Sequence, residues 1–168
     1  MDPWEDKYFK LKPPPPTPAE EICSCVDAPP IKLMSALGEN PIHCMNCNLE
    51  VDPASLDLSE DIVESIASWR SVYDAIDRLW LASGEYEEWA RSQLSDISNP
   101  LNQSGREIQA TLNQIRRCYY WYFQDQSADD YAPLDVCPSC GAQLTTYTKG
   151  IFEQRICDSC SIALLGKL

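Results

Sequence analysis

Residues 137–160 read CPSCGAQLTTYTKGIFEQRICDSC, two C-x-x-C units with sixteen residues between Cys140 and Cys157. Each unit bends into a tight knuckle that points two thiolates at one place. A hairpin between the knuckles brings Cys137, Cys140, Cys157 and Cys160 into a tetrahedron. Zinc prefers that geometry, and four sulfurs close its coordination shell. Gly141 suits the position after the first knuckle, where a residue without Cβ lets the backbone approach the metal. Gln143 to Thr148 and Ile151 to Ile156 predict two strands about Lys149-Gly150. Two redox dithiols or buried free thiols are the competing reading, but no βαβ pattern suggests a redox motif at these cysteines.

A second group lies upstream. Cys44-Met45-Asn46-Cys47 is another knuckle, and Cys23-Ser24-Cys25 offers two more sulfurs, eighteen residues away. A C-x-C pair is a less common ligand unit than C-x-x-C. His43 offers an alternative ligand, and one or two of these cysteines as plain buried apolar groups is the bland reading. A second zinc on Cys23, Cys25, Cys44 and Cys47 is the expectation, with the pairing of the three C-x-x-C units in space left open. Cys118, away from any knuckle, reads as core.

Between the cysteine groups the pattern is helical. Residues 59–95 read as helical: Ile62, Ile66, Trp69, Tyr73, Ile76 and Trp80 recur at steps of four and three and place six large apolar groups on one stripe of a helix. Ser59 is placed to cap it, Glu60 and Asp61 suit the positive end of its dipole, and Gly84 suits its exit. A shorter helix carries Tyr86, Trp89, Ala90 and Leu94. Asn99-Pro100 reads as a loop, and Ser104-Gly105-Arg106-Glu107 as a capping box opening a third helix with Ile108, Leu112 and Ile115 on one face. Residues 118–123 (Cys118-Tyr119-Tyr120-Trp121-Tyr122-Phe123) place five rings in a row, which favours a strand with alternate rings on opposite faces; a buried helix end is the alternative.

These pieces predict an α+β fold: a central helical body, a C-terminal zinc-ribbon hairpin and a Cys-rich zinc knuckle near the N-terminus. Residues 1–22 form a Pro-rich arm, with Pro13 to Pro16 favouring polyproline II and Trp4, Tyr8 and Phe9 available to pin it. Residues 23–53 form the N-terminal knuckle segment, 54–130 the acidic helical body with its aromatic strand, and 131–168 the ribbon.

Charge narrows the function. The chain of 168 residues carries 26 acidic and 13 basic side chains, a net −13. Residues 50–130 hold 16 acids against 6 bases, whereas residues 131–168 are balanced at 3 and 3. A whole-surface grip on phosphate is therefore excluded. No apolar run reaches the roughly 20 residues of a membrane span. The start, Met1-Asp2-Pro3-Trp4-Glu5-Asp6, lacks the basic and apolar regions of a secretory signal. A cytoplasmic protein with reduced thiols is the expectation.

The segment Cys44-x-x-Cys47-Asn48-Leu49-Glu50-Val51, Trp69-x3-Tyr73 with Leu79-Trp80, Leu94-Ser95-Asp96, Gly105-Arg106-Glu107-Ile108, Tyr119-Tyr120-Trp121 and Cys157-Asp158-x-Cys160 resembles one family. It is a bacterial family of unknown function, described as zinc-ribbon-containing, for which nucleic-acid binding is the suggested role. The resemblance runs from about residue 23 onward and implies zinc at the knuckles.

Three functional classes follow. A zinc-stapled interaction protein, whose acidic body meets a basic partner, is the favoured one; its concrete version is an acidic inhibitor or immunity-type protein. Nucleic-acid binding through the ribbon is the alternative, with Arg116-Arg117 beside the aromatic run as its one local basic feature. An enzyme is not expected. The chain has one histidine, four-thiolate sites leave no open metal position, and no phosphate loop or nucleophile elbow is present.

Overall fold

The computed structural model describes residues 15–35 and 40–167. Most of the expected Pro-rich arm, including Trp4, Tyr8 and Phe9, lies outside the described residues. The arm's last residue, Ile22, is bridged to Glu50.

The fold is mixed α and β. Six short strands, β1 (Ile31–Leu33), β2 (Ile42–Cys44), β3 (Cys118–Trp121), β4 (Thr145–Tyr147), β5 (Gln154–Cys157) and β6 (Ile162–Leu165), form one sheet in the order β2-β1-β3-β6-β5-β4. The central pairings β1–β3 and β3–β6 are parallel, and the outer ones are antiparallel. Three helices, α1 (Glu60–Ala82), α2 (Glu87–Ser95) and α3 (Pro100–Ile115), make the crossover from β2 to β3.

The aromatic run is the hinge of this architecture. Successive strand residues face opposite sides. Cys118 and Tyr120 join Ile31 and Leu33 in one core against the helices. Tyr119 and Trp121 face the other side, with Met45, Ile156 and Ala163. The helix-side core takes Ile62, Ile66, Trp69 and Tyr73 from α1, Leu94 from α2, and Leu101, Ile108 and Leu112 from α3. Ile76 and Trp80, at the far end of the predicted stripe, are half-buried and pack on its edge.

Local signals were decoded unevenly. Ser59 occupies the N-cap of α1, but its hydroxyl makes no capping bond. Gly84 takes the left-handed conformation expected at the helix exit, with φ +68°. Asn99-Pro100 is not a loop: Asn99 caps α3 by accepting from Asn102 N at 3.0 Å, and Pro100 is its first residue. Proline fits there because the first-turn amide has no helical partner anyway. The Ser104–Glu107 box therefore falls inside the helix, one turn too late to cap it. In the C-terminal region the strands are shorter than predicted. The β4–β5 connection spans residues 148–153, because Ile151 N reaches across to Asn46 O at 3.0 Å and leaves the ladder.

Gly105 fixes how closely α3 approaches β3. A Cβ at this position would overlap Tyr120 Cε2 and lie 2.7 Å from Trp69 Nε1. Both rings are buried and tied down: Tyr120 Oη donates to Asn102 Oδ1 at 2.7 Å, and Trp69 Nε1 donates to Leu101 O at 3.2 Å. Neither can give way cheaply. Gly105→Ala is expected to destabilise the fold by about 1–3 kcal/mol, the range for overpacking. Urea unfolding would measure it, and a stability equal to wild type would show that the helix can shift.

Candidate metal centres

The three C-x-x-C units share one backbone device. After Cys44 and Cys137 the amide four residues on folds back to the cysteine carbonyl: Asn48 N to Cys44 O at 3.0 Å, and Gly141 N to Cys137 O at 2.9 Å. In all three units the residue following the second cysteine is left-handed: Asn48 at φ +63°, Gly141 at +73° and Ser161 at +54°. Only Gly141 announces this by residue type. Asn tolerates the region, while Ser161 is held there by its surroundings.

The last two turns converge on one another, and the first meets the Cys23-x-Cys25 pair. The sulfurs of Cys137, Cys140, Cys157 and Cys160 all lie within 4.8 Å of one another, and so do those of Cys23, Cys25, Cys44 and Cys47. His43 is in neither group. Its Nδ1 faces Asn48 O at 3.1 Å, and its Nε2 is buried without a partner among the described residues. Cys118 is fully buried in the helix-side core, and that burial pushes its thiol up to about 12.

Each cage is chemically matched to a tetrahedral thiophilic cation. With a zinc–sulfur bond of about 2.3 Å, sulfur atoms at the corners of a tetrahedron are about 3.8 Å apart. Cys140 Sγ and Cys157 Sγ are 3.7 Å apart. All nine cysteines are free thiols. Backbone amides are directed at the sulfurs as well: Ser139 N lies 3.4 Å from Cys137 Sγ, and Cys23, Cys47 and Cys157 receive the amides of Cys25, Leu49 and Cys160. Donors aimed at sulfur favour thiolate.

Within each cage the neighbouring thiols act on one another. Burial first, then neighbouring thiols, push Cys47 and Cys137 up to about 12. Burial resists ionisation of Cys157 too, but the Ser159 hydroxyl, the Cys160 amide and two neighbouring thiols bring it down to about 7.

Side chains outside the cages hold them in place. Arg117 spans from α3 to the last knuckle: it donates to Asn113 Oδ1 at 3.1 Å, Ser161 Oγ at 2.9 Å and Asp158 Oδ1 at 3.0 Å, with its guanidinium 4.4 Å from the Tyr119 ring. Tyr119 Oη donates to the same Asp158 oxygen at 2.6 Å, and these two donors hold the Asp158 carboxyl below its ordinary range. Arg116 Nε donates to Pro29 O at 2.6 Å. The one local basic feature of the sequence is thus committed to internal contacts, neither of them with the acidic residues of α1.

The first knuckle docks on β4 and β5 of the second cage's meander. Tyr147 Oη donates to Asn46 Oδ1 at 2.5 Å, and Gln154 Nε2 donates to Met45 O at 2.8 Å. Gln154 Oε1 accepts from Lys32 Nζ at 2.9 Å. Lys32 is completely buried, with its ammonium 4.1 Å from the Trp121 ring centroid and 5.0 Å from that of Phe152. Burial pulls its pKa down to about 7, against the attraction of Cys44 and Cys47. No sequence pattern marks Lys32.

Lys32 makes stability depend on pH. Between about 7 and the ordinary value of 10.5 the unfolded chain binds this proton and the folded chain does not. Stability therefore rises with pH across that window, by at most about 1.4 kcal/mol per pH unit. Lys32→Met removes that slope. The difference between the urea midpoints of wild type and variant, followed from pH 6.5 to 10, isolates this group; parallel pH profiles would refute it.

Among the described residues, no helix is long and apolar enough to cross a membrane. A family described as a domain of unknown function (DUF2310) matches residues 35–124, a span that contains Cys44, Cys47, the three helices and β3 but ends before the second cage. No curated protein matches the chain, and no solved structure does.

Proposed function

The chain belongs to the DUF2310 family, whose description assigns no activity, and from its two four-thiol cages we infer that it is a non-catalytic zinc protein acting through protein–protein contact. The observation that carries this reading is the closure of both sites. Four sulfurs fill a tetrahedral shell, so a bound zinc has no position for water or substrate and serves to hold the chain. Cys137, Cys140, Cys157 and Cys160 staple a C-terminal ribbon. Cys23, Cys25, Cys44 and Cys47 staple the N-terminal segment to the sheet.

With catalysis set aside, the surface is left to do the work. The acidic excess lies in the helical body, which suits a basic protein partner, and an inhibitor or immunity-type role for that partner is the specific form we favour. Nucleic-acid binding gains less support. Arg116 and Arg117 are engaged internally, and Arg155 of the ribbon pairs with Asp135 at 2.7 Å.

Capture of the tagged chain from its native host, with and without nuclease, tests the reading. A stoichiometric protein that survives nuclease, together with two zinc ions per chain, is expected. Nucleic acid in the eluate that disappears with nuclease and with added salt, and no retained protein, would replace this reading with the alternative.

A further inference from the structure

The corner between α1 and α2 carries large apolar groups that no part of the described chain covers. Tyr86 is 52% exposed, Trp89 51% and Leu81 51%. Scattered exposed apolar residues are ordinary, but here Leu79, Tyr86 and Trp89 line one shallow cavity of 390 Å³. The helix-facing side of α2 is already supplied by Ala90 and Leu94, which are fully buried. Tyr86 and Trp89 are therefore surplus to the core.

The charged residues immediately beside the two rings in sequence are acidic. Glu85, Glu87 and Glu88 flank them in sequence. Glu87 accepts from Gly84 N at 3.1 Å and closes the turn. Glu85 and Glu88 are exposed and have no ion-pair partner among the described residues. The nearest arginine in sequence, Arg91, is paired with Asp125 at 3.2 Å.

We propose that this corner is a docking surface for an arginine-bearing segment of a protein partner, with the guanidinium stacked against Tyr86 and Trp89 and its charge met by Glu85 and Glu88. The inference rests on the protein-interaction reading and locates it. Two half-exposed aromatic rings over a cavity are the composition of an interface hot spot. A flat, weakly hydrated guanidinium suits aromatic faces better than an ammonium does, because it stacks as well as carrying charge. The surrounding carboxylates select a cation over an apolar plug.

The test uses the full chain and a fluorescein-labelled hexa-arginine peptide, followed by fluorescence anisotropy. Wild type is expected to bind it more tightly than hexa-lysine. Tyr86→Ala/Trp89→Ala and Glu85→Lys/Glu88→Lys are each expected to weaken binding about tenfold. Trp89→Phe, which keeps a ring, is expected to retain most of the affinity. The control is Glu64→Lys/Glu107→Lys, the same charge change on α1 and α3, with an expected effect under about twofold. Equal losses from both charge reversals would mean that the peptide reads net charge only, and would overturn the proposal. So would unchanged binding after loss of both rings, or no binding by wild type. All six substituted positions are exposed, and far-UV circular dichroism checks that the helices persist. Because the assay needs no native partner, its failure removes this surface and leaves the capture experiment to decide the interaction reading.

Discussion

Replacing Cys157 with serine is expected to lower the metal content from two ions per chain to one and to unfold the β4–β5–β6 meander. The reason is how little else holds that meander. β4 has three residues and β5 and β6 four each. The core on one face is six buried residues, of which Cys137 and Cys157 are themselves ligand candidates, and on the other face Ile156 and Ala163 are the meander's buried apolar groups, against Met45 and Tyr119. Its strand pairing with the rest of the sheet is a two-residue register, Tyr120 with Ile162 and Trp121 with Ala163, supplemented by side-chain bonds such as Gln154 to Met45 and Lys32. Elements of that size do not fold on apolar burial alone. Structural zinc contributes on the order of 10–16 kcal/mol in isolated finger peptides, and a closed site needs all four ligands. The helix-side core holds sixteen buried residues and contains only two cysteines. Circular dichroism of Cys157→Ser should therefore keep most of its helical signal while thermal stability falls sharply. Two bound ions and an unchanged melting curve would refute the assignment of this cage.

The same asymmetry decides what was legible in the sequence. Both cysteine groups could be read because ligand chemistry repeats a fixed spacing, independent of what surrounds it. The stripe from Ile62 to Tyr73 could be read because a helix of 23 residues repeats its period several times. β1, β2 and β6 could not. Three or four residues give no period, and Ile31-Lys32-Leu33 or Ile162-Ala163-Leu164-Leu165 declares itself only when a neighbouring strand supplies the other half of the ladder. The parallel pairing of β1 with β3 joins residues more than eighty apart, which no local pattern encodes. The start of α3 was misplaced for a different reason. Asn99-Pro100 and Ser104-x-x-Glu107 are both legitimate helix openings, and tertiary contacts chose between them: Asn102 is held in the core by the carbonyls of Leu94 and Asp96 and by the Tyr120 hydroxyl.

Gln154→Leu tests whether the two cages depend on one another. Gln154 is completely buried and is used at both ends. Its Oε1 takes the Lys32 ammonium at 2.9 Å, and its Nε2 donates at 2.8 Å to Met45 O, inside the Cys44–Cys47 knuckle. Leucine fills similar space but strands both groups. Leaving a buried ammonium without its hydrogen-bond acceptor costs upward of about 1–3 kcal/mol. The loss should be larger at pH 6 than at pH 9, because Lys32 can shed its proton near pH 7 and a neutral amine is less costly to leave unpaired. Lys32→Met/Gln154→Leu should recover part of the loss, since replacing both partners by apolar groups removes the stranded charge. The consequence for metal is specific. Met45 lies between two sulfur donors of the first cage, yet Gln154 belongs to the strand that ends at Cys157 of the second. The variant should release its first metal to a chelator faster than wild type, although no ligand has been altered. Unchanged release together with unchanged urea stability would mean that the two cages are independent staples, joined by the sheet but not by energy.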